Sequence, residues 1–170
     1  MKKIEAFKRS PIWKFLVQLQ RWLLIASSIF VMLIMCVEVL LRYVFKSDLY
    51  GIEEIVVIAA FWLYLIGSSY GVYDKSHVKA DLIPQMLSKK VQVLLNVIVR
   101  LIMSVLCCLF TFWAIGMIGH SLKYMPRTTG LGIPIAISQF SVLLGYFLMA
   151  FYSIIYFLED LFAFLELRRS

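Results

Sequence analysis

The sequence predicts an all-α membrane protein of four transmembrane helices, with one or two amphipathic interfacial helices beside them. Three observations carry this. Hydrophobic residues make up 62% and charged residues only 16% of the 170-residue chain, at a mean hydropathy of +0.89, against about 45–50% and about 25% in soluble domains. The apolar residues fall in long runs, the signature of bilayer-spanning segments. Lys and Arg gather at the borders of those runs, with tyrosines and tryptophans beside them, as the positive-inside rule and the aromatic belt require.

A hydrocarbon core about 30 Å thick needs about 20 helical residues. Four segments qualify, at about 22–44, 55–73, 91–122 and 133–157, and together they make one membrane domain over 1–170. The first run starts at Trp22, carries Glu38 and Arg42 near its end and lacks a small-residue cleavage site, so an uncleaved N-terminus is expected. The second, 55–73, and the fourth, within 128–158, contain no Asp, Glu, Lys or Arg. The third is interrupted by Arg100 and exceeds a perpendicular span. It is expected to tilt strongly or to lay its first turns along the interface.

Two amphipathic pieces flank the spans. Ser10-Pro11 reads as an N-cap followed by proline at the first helical position. Ile12, Phe15, Leu16 and Leu19 then share one face, opposite Lys14, Gln18 and Arg21, which predicts an interfacial helix over 11–21, either lying on the cytoplasmic leaflet or running straight into the first span. A second is expected over 82–90, where Asp81 caps, Pro84 sits in the first turn and Lys89 and Lys90 face head groups. Trp13, Trp22, Tyr43, Tyr50, Tyr70, Tyr73 and Tyr124 fall near the expected membrane borders. No internal repeat is present.

Orientation follows from the cations. Twelve Lys and Arg lie in the N-terminal segment, the loop after the second span and the tail. Four, Arg42, Lys46, Lys123 and Arg127, lie on the other side, and Arg100 is within a span. Both termini are therefore expected to be cytoplasmic. The net charge of +7 is dispersed around apolar runs, with no basic face long enough to track nucleic acid. Anionic lipid head groups are the expected partner.

The sequence contains no Gly-rich phosphate loop, HExxH or GxSxG, so no enzyme activity, metal or cofactor is expected. Cys36, Cys107 and Cys108 lie within apolar runs without CxxC spacing and read as small apolar side chains. His77 and His120 are expected on opposite sides of the membrane, which argues against a haem-bearing redox anchor. His77 and Asp81 lie four apart but lack further metal ligands nearby.

Charges near or inside spans are candidates for function. Glu38 and Arg42, four apart, can form a self-neutralised pair on one helix face. They can instead contact a partner subunit, or Glu38 can act as a proton-coupling carboxylate. Glu53 and Glu54 form an acidic first turn that complements the helix dipole, or pair with Arg42 or Lys46 across helices or across chains. Arg100 can snorkel to the head groups or pair with another helix. Gly67 and Gly71, four apart, allow close approach of another helix backbone.

The order of these features resembles a known family. Leu41-Arg42-Tyr43-Val44-Phe45 leads into a polar turn. Glu53-Glu54 follows, then an apolar span with Trp62 and Gly67, and then His77-Val78-Lys79-Ala80-Asp81. Leu131-Gly132-Ile133-Pro134 opens the last span. Over about residues 15–160 this resembles the small membrane subunit, the DctQ-like or Q subunit, of the tripartite ATP-independent periplasmic (TRAP) transporters. Tyr50-Gly51-Ile52 departs from the Trp-Ser pair that many relatives carry, which bears on the cap of the second span.

The resemblance implies residence in a bacterial inner membrane. It also implies a partnership with a large membrane subunit, M, and, through the assembled complex, with a periplasmic binding protein. In such complexes M moves a carboxylate, such as a C4-dicarboxylate or a sialic acid, by a sodium-driven elevator, and Q widens and anchors the stationary scaffold. On this resemblance Glu38, Arg42, Glu53, Glu54, Trp62, Gly67, Gly71, His77, Asp81, Arg100, Gly132 and Pro134 are interface or family-motif positions, with no catalytic role. The alternative is a self-sufficient homodimeric four-span transporter that uses Glu38.

Overall fold

The computed structural model describes residues 8, 10–46, 50–74 and 89–169. They form four helices: α1 (Pro11–Tyr43), α2 (Ile52–Tyr73), α3 (Lys89–Tyr124) and α4 (Ala136–Arg169). All four are long and apolar enough to cross a membrane, and no strand occurs among the described residues. At 1.5 Å per residue, α2 is about 33 Å long and the others about 50 Å or more. Only α2 matches the hydrocarbon thickness, so the others project beyond it or tilt within it.

The chain runs up and down. The start of α1 and the end of α4 share what is called here the terminal end. The α3–α4 connection marks the opposite, hairpin end. Local chemistry sets the boundaries. Ser10 Oγ accepts a hydrogen bond from Trp13 N–H at 3.2 Å and Pro11 occupies the first helical turn, as the sequence rule for an N-cap requires. Residues 11–21 are thus the first turns of one unbroken 33-residue helix, running straight into the first span. Of the second interfacial piece, only residues 89 and 90 are described, as the start of α3. Residues 133–135, expected to open the last span, belong instead to the α3–α4 connection, and α4 continues to Arg169.

The helices pack in the order α1, α2, α4, α3, each against its neighbour in that row, with the α3–α4 contact the most extensive. α4 is accordingly the most buried helix, whereas none of the most apolar stretch of α1 is buried. Such bare apolar surface is stable where lipid replaces water, because lipid tails are as apolar as the side chains. Small residues permit the close contacts. A Cβ on Gly145 of α4 would stand 2.8 Å from Leu65 Cβ and 3.0 Å from Leu65 O of α2, so the two backbones meet there. Gly67 receives Leu24 of α1, whose Cδ2 would lie 3.6 Å from an added Cβ.

The core gathers at the terminal end. Trp13 is 5% exposed and packs against Tyr73, Phe151 and Tyr152, with ring centroids 5.2–6.0 Å apart. It was expected as a border aromatic, but the first turns of α1 lean onto α2 and α4 and carry the ring inward. Trp22, Tyr43, Tyr50 and Tyr124 do remain exposed.

Candidate functional site

Two polar junctions tie this open row together, one at each end. The first lies at the terminal end. Tyr152 O–H of α4, wholly buried, donates to Gln20 Oε1 of α1 at 2.7 Å. Gln20 Nε2 donates to Ser69 Oγ of α2 at 3.0 Å, and Ser69 Oγ–H passes on to the Ile66 carbonyl at 2.7 Å. Three helices share one chain of hydrogen bonds, and each polar group in it is satisfied as a low-dielectric interior demands. Tyr156 O–H adds a bond from α4 to the Tyr73 carbonyl at 2.6 Å.

Charges rim this junction. Arg100 of α3 pairs with Asp160 of α4, its Nε 3.5 Å from Oδ2, and its guanidinium stands 5.1 Å from the Tyr156 ring centre. Of the two sequence readings for Arg100, the cross-helix ion pair is the one observed, although both side chains keep some exposure. Lys8 pairs with Glu159 and sits 4.3 Å from the same ring on its ammonium side.

The second junction lies at the hairpin end. α3 stops at Tyr124, Met125 takes a left-handed φ of 46°, and the chain reverses between Arg127 and Pro134, which form a single antiparallel bridge. Thr128 N–H donates to the Ile133 carbonyl at 2.9 Å, and Ile135 N–H to the Pro126 carbonyl at 3.0 Å. Gly132 supplies the positive φ of 67° that this turn needs.

Glu54, in the first turn of α2, reaches across to this hairpin. Its two carboxylate oxygens accept from Gly130 N–H at 2.6 Å and Leu131 N–H at 2.8 Å. Successive backbone amides aimed at one carboxylate make a strong, charge-assisted clasp. The carboxylate comes close to Gly130, where a Cβ would stand 2.9 Å from Glu54 Oε1 and press it to shift. Gly51, at φ +84°, caps α2, and a Cβ there would stand 2.5 Å from Leu131 Cγ.

The remaining sequence candidates fall into place around these junctions. No ion pair joins Glu38 to Arg42, nor Glu53 or Glu54 to Arg42 or Lys46, among the described residues. Arg42 is exposed on α1, and both oxygens of Glu54 are engaged by backbone amides. Glu53 is exposed on the outer side of the same turn. Trp62 stacks on Phe140 of α4 at 6.5 Å between ring centres. Gly71 lies in the last turn of α2, one turn beyond Gly67. Pro134 closes the hairpin. His77 and Asp81 lie outside the described residues. Sequence reasoning missed Gln20, Ser69, Tyr152 and Gly130. The available signals were an amide among apolar neighbours in α1 and a glycine between Thr129 and Leu131.

The chain matches the family model described as "Tripartite ATP-independent periplasmic transporters, DctQ component" over residues 31–163, well over half its length. The chain belongs to the DctQ family. It is therefore a multi-pass component of a TRAP transporter, from a family of transport components, and membership implies association with the other TRAP components and residence in a bacterial inner membrane. The chain matches no curated protein. The match to DctQ spans the Glu54 clasp, α2, α3 and α4 as far as residue 163. It begins beyond the first turns of α1, so Trp13 and Gln20 of the terminal junction lie outside it.

Proposed function

We propose that this DctQ chain is a non-catalytic scaffold that anchors and widens the stationary part of a large M subunit. That subunit carries a carboxylate, such as a C4-dicarboxylate or a sialic acid, inward on a sodium gradient after delivery by a binding protein. The supporting observation is the distribution of polarity. Residues 22–37, 55–73, 101–122 and 128–158 contain no Asp, Glu, Lys or Arg, and the charged contacts lie at the two ends of the helix row. A chain of this kind has no charged path at mid-depth for an ion or carboxylate, whereas intramembrane charges mark such paths in carriers. Its little-covered α1 and the outer faces of α3 offer long apolar surfaces for a partner helix and for lipid.

In this reading the termini are cytoplasmic, anionic head groups meet the terminal end, and the Glu54 hairpin faces the periplasm. Arg42, exposed in the last turn of α1, is the charge this reading offers to M. The test is co-purification of M on a tagged chain in mild detergent. Arg42→Glu is expected to lower the yield of M about tenfold, because like charges facing each other across an interface cost several kcal/mol. Lys2→Glu, at the other side of the membrane, is expected to leave it unchanged. Equal yields from both variants would remove Arg42 from the interface, and absence of any large membrane protein from the wild-type eluate would sink the scaffold role.

A further inference from the structure

An open cleft of about 930 Å³ separates the first turns of α1 from the terminal-end tips of α2 and α4, a volume within the range of small-molecule sites. Its walls differ in kind. The α1 wall presents Lys14, Gln18 and Arg21, followed by Trp22 and Ile25, at helical spacings that put them on one face. The opposite wall is aromatic, with Tyr70 and Tyr73 from α2 and Tyr156 from α4. From Lys14 to Ile25 the helix rises about 16 Å. Over that distance the wall changes from the polar stretch Lys14, Gln18 and Arg21 to aromatic and aliphatic at Trp22 and Ile25. Trp22 and Ile25 are 63% and 43% exposed, so the apolar end of the cleft opens toward the bilayer.

The charges in the cleft are unequal. Lys8 is already joined to Glu159. Lys14 and Arg21 form no ion pair among the described residues, and the one carboxylate of the cleft wall, Asp74 at the C-cap of α2, is within pairing distance of neither. A positive excess therefore faces a space graded from polar to apolar, which matches an amphiphile with an anionic head. Arginine engages the two oxygens of a phosphodiester as a fork, and lysine adds a point charge.

We propose that this cleft binds one anionic glycerophospholipid, its phosphate-bearing head group between Lys14 and Arg21 and an acyl chain along Trp22 and Ile25. A soluble phosphate would use the cations but not the apolar continuation. The site makes specific the broader proposal that anionic head groups meet the terminal end. It requires only that the chain is embedded in a membrane, so its test is independent of orientation and of the M subunit. The α1 wall precedes residue 31, outside the DctQ match, whereas Tyr70, Tyr73 and Tyr156 of the opposite wall lie within it.

The test is native mass spectrometry of the full-length chain, with any membrane partner that accompanies it, titrated in mild detergent with dioleoylphosphatidylglycerol or dioleoylphosphatidylcholine. One phosphatidylglycerol is expected to bind at least tenfold more tightly than phosphatidylcholine. The Lys14→Gln/Arg21→Gln variant is expected to weaken that binding roughly 25-fold, at roughly fivefold for each cation near an anionic head group. The charge-preserving Lys14→Arg/Arg21→Lys variant should bind as the wild type does, which separates loss of charge from loss of fold. Wild-type binding by the glutamine variant, or equal binding of the two lipids, would overturn the proposal. Displacement of the lipid by excess inorganic phosphate would do so too, by assigning the cations to a soluble anion.

Discussion

Tyr152→Phe removes a single oxygen from the centre of the terminal junction. The ring contacts with Trp13, Tyr73 and Phe151, at 5.2–5.7 Å between centres, survive the change. What is lost is the donor to Gln20 Oε1, and Gln20 is only 4% exposed. Its amide stays tied to Ser69 through Nε2, so the side chain cannot turn to find another donor without breaking that bond. A hydrogen bond between membrane helices contributes about 0.6 kcal/mol on average and up to about 1.7. A buried acceptor left without a partner costs about 1–3 kcal/mol. Tyr152→Phe is therefore expected to destabilise the protein by about 1–2 kcal/mol. Gln20→Leu should cost a similar amount, because it strands the buried hydroxyl instead. The double variant should cost about 1 kcal/mol less than the two singles together, since neither partner is then left unpaired. Reversible unfolding in mixed dodecylmaltoside and dodecylsulfate micelles, followed by circular dichroism, measures all four corners of the cycle. Additivity within about 0.3–0.5 kcal/mol, the scatter of independent sites, would refute the reasoning and leave the docking of α1 to its other contacts, Trp13 foremost.

Two further outcomes follow from the same geometry. Glu54→Gln keeps the size of the side chain but replaces one accepting oxygen with a donor, so amide exchange at Gly130 and Leu131 should quicken while exchange in the middle of α4 stays as it was. Unchanged exchange at those two amides would mean that the clasp does not order the hairpin. Gly145→Ala should cost about 1–3 kcal/mol by overpacking, because the new Cβ lies 2.8 Å from Leu65 Cβ and beside the Leu65 carbonyl. Micelle unfolding reads this directly, and a stability equal to wild type would show that α2 and α4 can separate freely at that point.

The two ends of this molecule differ in how much of them could be read from residue order. The N-cap at Ser10-Pro11 was legible, because a cap is a contract between a side chain and an amide three residues away. The cross-helix partner of Arg100 was legible only as one of two options, since snorkelling and pairing both satisfy a long cation near a border. For Glu54 residue order offered an acidic first turn of α2 or a cation partner; it does stand in that first turn, but the partner its carboxylate finds within the chain is of another kind. A carboxylate at a helix start finds backbone amides as good a partner as a cation, and the hairpin supplies two of them from 76 and 77 residues away. The Gln20–Tyr152 bond spans 132 residues, and nothing in the neighbourhood of either residue announces the other.

By itself the sequence determined that this chain is a membrane protein with four apolar helices and, through ordered motifs, which family it belongs to. Both are local properties. A bilayer requires each segment to be apolar over its own length and to satisfy its own backbone hydrogen bonds, and that requirement is written residue by residue. Only the tertiary structure decided that the helices stand in the order α1, α2, α4, α3, that α1 buries its first turns at one end and leaves the rest of its length largely bare, and that a graded cleft opens beside it. These depend on which small residues let two backbones meet and which distant polar groups satisfy one another. In lipid no difference in hydrophobicity drives one apolar face toward another, so the pattern of apolar residues along a helix carries little information about its neighbours.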